Sequence, residues 1–167
     1  MQLISLRERP EAITLIAQWH FQEWHALFPG RTEADFAAEL ALCLGDAKVP
    51  QTWLMLDEVA EVAGTCSLLV HDMTILPQLT PWLANIYLRP DLRGKGLGQQ
   101  LVRHVMAEAA KLGIATLYLF TEDQQAFYQR LGWQLWAVQQ YEGHQVSVMC
   151  YPKADPWFPA PGAADAL

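Results

Sequence analysis

Leu88-Arg89-Pro90-Asp91-Leu92-Arg93-Gly94-Lys95-Gly96-Leu97-Gly98 is the stretch on which the reading of this chain turns. It stands between a strand-like segment, 82–88, and a strongly periodic helical one, 97–112. Glycine at 94, 96 and 98 lets the backbone turn tightly and bring its N–H groups close to an anion. The following helix adds unpaired amide donors and the positive end of its dipole. Arg93 and Lys95 add full charges, so the run reads as a cradle for a pyrophosphate. It is not a P-loop, because no Lys followed by Ser or Thr comes after the last glycine. It is not a dinucleotide-binding fingerprint either, since Pro90 to Arg93 intervene between strand and glycines and the third glycine of that spacing is missing.

Composition bounds the rest. The chain has 167 residues, 52% of them hydrophobic, with seven tryptophans, which suits one folded domain and excludes disorder. No apolar run is long enough to span a bilayer, and Met-Gln-Leu-Ile-Ser lacks the layout of a signal peptide. Cys43, Cys66 and Cys150 are odd in number and set among apolar residues, as reduced core thiols would be. A cytoplasmic protein with no metal and no membrane partner is therefore expected. The net charge of −7 divides unevenly: residues 89–103 hold four cations against Asp91 alone, which makes that stretch +3 and leaves −10 elsewhere. A positive island around the glycines suits a phosphate-bearing ligand, while the acidic remainder argues against nucleic acid and favours a cationic co-substrate such as an amine.

Read along its length, the chain alternates. A short strand at 2–6 precedes a helix opened by Pro10, with Ile13, Ile16, Ala17, Trp24 and Leu27 on one apolar face. Thr32 and Asp35 resemble a capping box for a second helix through Phe36, Leu40 and Leu44. Strands at 52–56 and 61–71 follow, and Gly64 within the second marks a bulge or a close backbone approach. After a Pro-containing loop come the strand at 82–88, the glycine run and its helix, closed by Gly113. A buried strand at 116–121 leads to a short helix capped by Asp123, and a final pair, 133–139 and 146–151, turns at Glu142-Gly143. Residues 152–167 carry four prolines and no period, as a loosely ordered tail would. The order is β-α-α-β-β-β-α-β-α-β-β.

Arg93, Gly96 and Gly98 fit an Arg-x-x-Gly-x-Gly pattern placed between strand and helix. This resembles the acyl-CoA-binding motif of the GNAT superfamily of N-acetyltransferases, and the element order over the first 151 residues resembles that fold. The resemblance implies an α/β (α+β) fold, with a mixed, largely antiparallel sheet of about seven strands and about four helices, split beside the strand that precedes the motif. It further implies acetyl-CoA as co-substrate. Main-chain groups along Ile86, Tyr87 and Leu88 would bond its acyl and pantetheine amides, and the amides of Arg93, Gly94, Lys95, Gly96, Leu97 and Gly98 its pyrophosphate. The acceptor would be the amine of a small molecule, an aminoglycoside or a peptide, and the chain a monomer or homodimer. A non-catalytic acyl-CoA-binding sensor is the alternative.

The run Ala126-Phe127-Tyr128-Gln129-Arg130-Leu131-Gly132-Trp133 resembles the family's Phe-Tyr-x-x-x-Gly-aromatic signature, which makes Tyr128 the donor of a proton to the leaving thiolate. A phenol of pKa about 10 held near a thiol of pKa about 8.5 suits that task. The chain departs from the family twice. Thr121 stands where many members carry a cofactor-contacting asparagine, and strand 82–88 has no glutamate to take a proton from the amine. Glu122, His71, Asp72 and the helical pair His20 and Glu23 are the candidates for that base. Trp24, Tyr87, Trp82 and Asn85 are candidates for the acceptor pocket, although Trp24 in an apolar stripe also reads as core.

Overall fold

The last three residues of the sheet's middle strand and the turn beyond it organise the molecule, as the computed structural model, which describes residues 1–151, makes plain. Among the described residues there are seven strands: β1 (Gln2–Ser5), β2 (Gln51–Leu56), β3 (Val62–Leu69), β4 (Trp82–Leu88), β5 (Leu117–Thr121), β6 (Gln134–Tyr141) and β7 (His144–Tyr151). Four α-helices accompany them: α1 (Ile13–Trp24), α2 (Glu33–Leu42), α3 (Leu97–Lys111) and α4 (Gln125–Arg130). The strands form one sheet in the order β1-β2-β3-β4-β5-β7-β6, antiparallel at every junction except the parallel one between β4 and β5. This is the architecture that the sequence led us to expect.

Strand alternation sends successive residues to opposite faces, and the core divides accordingly. On β2, Leu54 and Leu56 join Ile16, Ala17, Phe36 and Leu40 beneath α1 and α2. Trp53 and Met55, one residue out of phase, join Leu97, Leu101, Val102 and Val105 beneath α3. Burial of the five apolar residues of α3 on one face stabilises that helix more than its own propensity does. The capping box of α2 forms as read, with Thr32 Oγ1 accepting from the Asp35 amide and Asp35 answering the Thr32 amide at 2.7 Å. Glu142 and Gly143 both have positive φ, 51° and 78°, the conformation that two-residue hairpin turns require. Cys43, Cys66 and Cys150 are free and buried.

Two local features differ from expectation, each for a traceable reason. The first helix is not continuous: Pro10–Ala12 is a 3-10 turn, α1 ends at Trp24, and a second 3-10 turn, His25–Leu27, finishes the run. Asp123 does not cap α4; Thr121 Oγ1 accepts from the Gln124 amide at 3.1 Å, so the turn is closed from the strand end instead. The Pro-rich tail at 152–167 lies outside the described residues. No helix among the described residues is long and apolar enough to cross a membrane.

The sheet is uninterrupted except at its parallel junction. β4 and β5 share a single paired position, Trp82 with Tyr118, and then diverge. Just beyond that point β4 bulges at Asn85, whose φ of 55° lies in the left-handed region that asparagine enters more readily than most residues. Gly64, on β3, faces the far end of β4. A Cβ there would stand 2.6 Å from the Tyr87 carbonyl oxygen, the close approach anticipated at this glycine.

Candidate active site

Divergence of β4 from β5 opens a cleft of about 810 Å³ whose walls come from both strands, the glycine turn, α4 and the end of α1. One end is built largely of backbone. Gly94 and Gly96 take φ of 74° and 77°, which only glycine adopts without strain. Gly96 is the N-cap of α3 and has no side chain to bond the first amides of that helix. Those donors are therefore left for a ligand. Gly98 also lines the cleft, and a Cβ there would only touch Phe127 at 3.9 Å. Arg93 is anchored to this end: Nε donates to the Leu88 carbonyl at 2.9 Å, and the guanidinium lies 5.6 Å from the centre of the Tyr87 ring. Arg103 and Arg130 add charge to the lining. Open amides, three guanidinium groups and a slot between two strands fit a long ligand carrying phosphates at one end.

Lys95, which the sequence groups with Arg93, is placed differently. Its Nζ donates to the Asp91 carbonyl at 3.3 Å, and it borders a separate cavity shared with Asp57 and Arg89. Leu97 turns into the core, leaving its main chain to the turn.

The opposite wall carries Tyr128 and Thr121. Tyr128 is buried, with 8% of its surface exposed, yet it lines the cleft. Burial, assisted by the negative charge of Asp72, pushes its phenol above the ordinary range, so it holds a proton at any physiological pH. Glu122 reaches the rim but is engaged, with Oε1 2.7 Å from His144 Nδ1.

The other end of the cleft is made of side chains drawn from distant parts of the chain. Glu23, Trp24, Leu27 and Phe28 come from the end of α1 and the turn after it, Asp72 from the loop between β3 and β4, Asn85 from the bulge and Phe120 from β5. Trp24 is half-buried and faces this space, its ring edge-on to Tyr87 at 6.3 Å. Asp72 has no hydrogen bond or ion pair among the described residues. Burial raises its carboxyl to about 8, reinforced by Glu39 and opposed by Arg31. A carboxyl that changes charge near neutral pH, inside a cleft, is the usual mark of an acid–base group. Three sequence candidates are not brought here. His71 is exposed and absent from the lining, His20 is buried behind β4, and Trp82 is buried in the core with Leu79 and Tyr118. Arg130 and Phe120 went unread, and Arg103 was read only as one charge of the positive island: the two arginines sit in ordinary helical patterns, and only the third dimension puts them on the cleft.

The model of the acetyltransferase (GNAT) family matches residues 13–133. No curated protein sequence matches the chain. Among solved structures, the fold is similar to that of an aminoglycoside 6′-N-acetyltransferase complexed with coenzyme A, at 17% identity and a TM-score of 0.71, over 93% of this chain and 100% of that one. It is similar also to a phosphinothricin acetyltransferase from Sinorhizobium meliloti complexed with acetyl-CoA, at 20% identity and a TM-score of 0.69, over 90% of this chain and 87% of that one. A third likeness is to an acyl-CoA N-acyltransferase from Pseudomonas aeruginosa, at 20% identity and a TM-score of 0.61, covering 88% and 91%.

Proposed function

Because this chain belongs to the GNAT acetyltransferase family, we propose that it transfers the acetyl group of acetyl-CoA to a primary amine by direct attack in a ternary complex. One observation carries the reading: a single cleft joins the glycine turn, the β4 strand, Tyr128 and Asp72. The α3 amides, with Arg93, hold the pyrophosphate, and main-chain groups of Ile86, Tyr87 and Leu88 hold the acyl and pantetheine amides. Bound acetyl-CoA supplies a thioester carbonyl and a thiolate that leaves readily.

Asp72, in its carboxylate form, takes a proton from the ammonium and frees the nitrogen lone pair for attack. A main-chain N–H of β4 stabilises the charge that grows on the carbonyl oxygen. Tyr128 then gives its phenolic proton to the departing sulfur. The two transfers support one another. Burial chiefly holds Tyr128's proton and the charge of Asp72 adds to it, so protonating Asp72 removes the smaller restraint and makes the phenol a stronger acid than it was. The nitrogen of the adduct still carries one proton more than an amide holds; as the C–S bond breaks that proton passes through water to the Tyr128 phenolate, and after product leaves Asp72 releases its own proton to solvent.

The acceptor end favours a cation with an apolar body. Glu23 and Glu122 give it negative potential, to which Asp72 adds once ionised, while Trp24, Phe28 and Phe120 offer aromatic faces. Calorimetric titration with acetyl-CoA, against ATP and NAD as controls, tests the cradle. Selective saturable binding is expected, followed by CoA release across a panel of primary amines. Equal or tighter binding of ATP or NAD would overturn the reading. Binding without turnover on any amine would make the chain a sensor.

A further inference from the structure

Behind the bulge of β4 runs a line of hydrogen-bonded side chains that the chemistry above does not use. Between the pairs Thr65 with Tyr87 and Ser67 with Ala84, β4 has one residue more than β3, so Asn85 and Ile86 stand opposite Cys66 alone. The displaced Asn85 carbonyl accepts from Thr65 Oγ1 at 2.8 Å, and Asn85 Nδ2 donates to Ser67 Oγ at 3.0 Å. Ser67 bonds Thr52 at 2.7 Å. His20 Nε2 lies 2.9 Å from Thr65 Oγ1. Since the single hydroxyl proton of Thr65 is committed to Asn85, the ring must be the donor, with its proton on Nε2.

His20, Thr52, Thr65 and Ser67 are the four polar or charged residues that are buried among the described ones. Each would be costly alone, and all four are satisfied by two arms that meet at one residue, His20 and Thr65 at the Asn85 carbonyl and Thr52 and Ser67 at its side-chain amide. Where they meet matters. The Asn85 carbonyl and the Ile86 N–H belong to the same peptide unit, which is planar and trans, so the two point in opposite directions. Fixing the carbonyl toward Thr65 on β3 turns the Ile86 N–H away from β3, to the side on which β4 has parted from β5. Asn85 and Ile86 both line the cleft there.

We propose that His20 and Thr65, with Ser67, are positioning residues: they lock the Asn85 peptide and thereby aim the Ile86 N–H at the acetyl carbonyl. The proposal rests on the acetyltransferase reading above. His20 touches no substrate and acts only through Thr65.

The test uses acetyl-CoA labelled with carbon-13 at its carbonyl, which needs no acceptor amine. In the native protein the bound carbonyl resonance lies downfield of the free one. In Thr65→Val, which keeps shape and removes the hydroxyl, that displacement is lost while the Kd for unacetylated CoA stays within about twofold. Thr65→Ser restores it. Retained displacement in Thr65→Val overturns the proposal, as does a parallel loss of CoA affinity, which would show general loosening. Should Thr65→Val fail to fold, nitrogen-15 shifts of the native His20 ring decide: a neutral ring protonated at Nε2 supports the line, and a proton on Nδ1 breaks it. Absence of acetyl-CoA binding by the native protein would instead defeat the acetyltransferase reading, and the ring measurement would still stand on its own.

Discussion

The two ends of the cleft are built on different principles. The end that we assign to the phosphates is backbone: open amides of α3, two glycines with positive φ, and residues contiguous from Arg93 to Gly98. The end that we assign to the acceptor is side chains: Glu23, Trp24, Asp72 and Asn85, separated by up to 62 residues and gathered by α1, a loop and a bulge. A ligand held by backbone depends on conformation, and conformation is set locally by glycine. A ligand held by side chains depends on tertiary placement. Substitutions should therefore fail differently at the two ends, through affinity at the first and through turnover and pH dependence at the second.

The largest effect is expected between them, at Tyr128. Tyr128→Phe keeps the ring that packs on Phe127 and Trp133 but removes the proton for the sulfur. We expect kcat to fall by about a hundredfold or more, in the range typical of a lost general acid, with acetyl-CoA affinity unchanged by calorimetry. An unchanged kcat would end the assignment of Tyr128.

Asp72→Asn comes next, with kcat/KM lowered by about tenfold to a hundredfold at pH 8. The carboxylate is the working form and its pKa lies near 8, so the native rate should climb with pH up to about 8 and the variant should lose that limb. Stability follows the same group with a definite sign. A folded-state pKa raised from 3.8 to about 8 means that the protonated form is the one the fold favours. Its contribution is full below about pH 4 and is lost as pH rises through about 8. Between pH 5 and pH 9 the melting temperature should fall further in the native protein than in Asp72→Asn. The neutral His20, held down to about 3 by burial, is common to both proteins and does not disturb the comparison.

The backbone end answers with affinity. Gly96 has no heavy atom within 4 Å of where a Cβ would go, so Gly96→Val acts through φ and not through a clash. Left-handed backbone costs a residue with a side chain about 1–2 kcal/mol, which is about tenfold in Kd for acetyl-CoA, with kcat at saturation preserved. If kcat fell and Kd held, the division between the two ends would be wrong.

That division also explains what could be read in the sequence. The order of strands and helices was legible because each element announces itself over a few neighbouring residues: the period of α3, the capping box at Thr32, the turn at Glu142-Gly143. The glycine turn, to which we assign the phosphates, was legible for the same reason. Asp72 could be suspected but not preferred, since nothing next to it in the chain says that the loop returns over Tyr128. His20 and Glu23 share a helix face in the sequence, yet the sheet buries one and leaves the other in the cleft. Trp24 sits in an apolar stripe and still faces the cavity, because α1 ends there and the core does not extend past it.

The smallest predicted effect separates two cations that the sequence presents as a pair. Arg93 and Lys95 are two residues apart, and both flank Gly94. The left-handed conformation of that glycine sends them to different places: Arg93 to the cleft beside Tyr87, Lys95 to the neighbouring cavity with Asp57 and Arg89. Arg93→Ala removes a charge from the lining together with its bond to Leu88, and should weaken acetyl-CoA a few-fold, about 1 kcal/mol for a charge-assisted contact open to water. Lys95→Ala should change Kd by less than about twofold at physiological salt, where charges beyond roughly 8 Å are screened. Titrations at low and physiological salt distinguish proximity from field. A Lys95 effect that is large at low salt and vanishes with added salt is a long-range field, whereas one that survives salt means that the lysine swings into the cleft when the phosphates arrive. In that second case the phosphate end, too, depends on a side chain that the free protein keeps elsewhere, and the contrast between the two ends is one of degree.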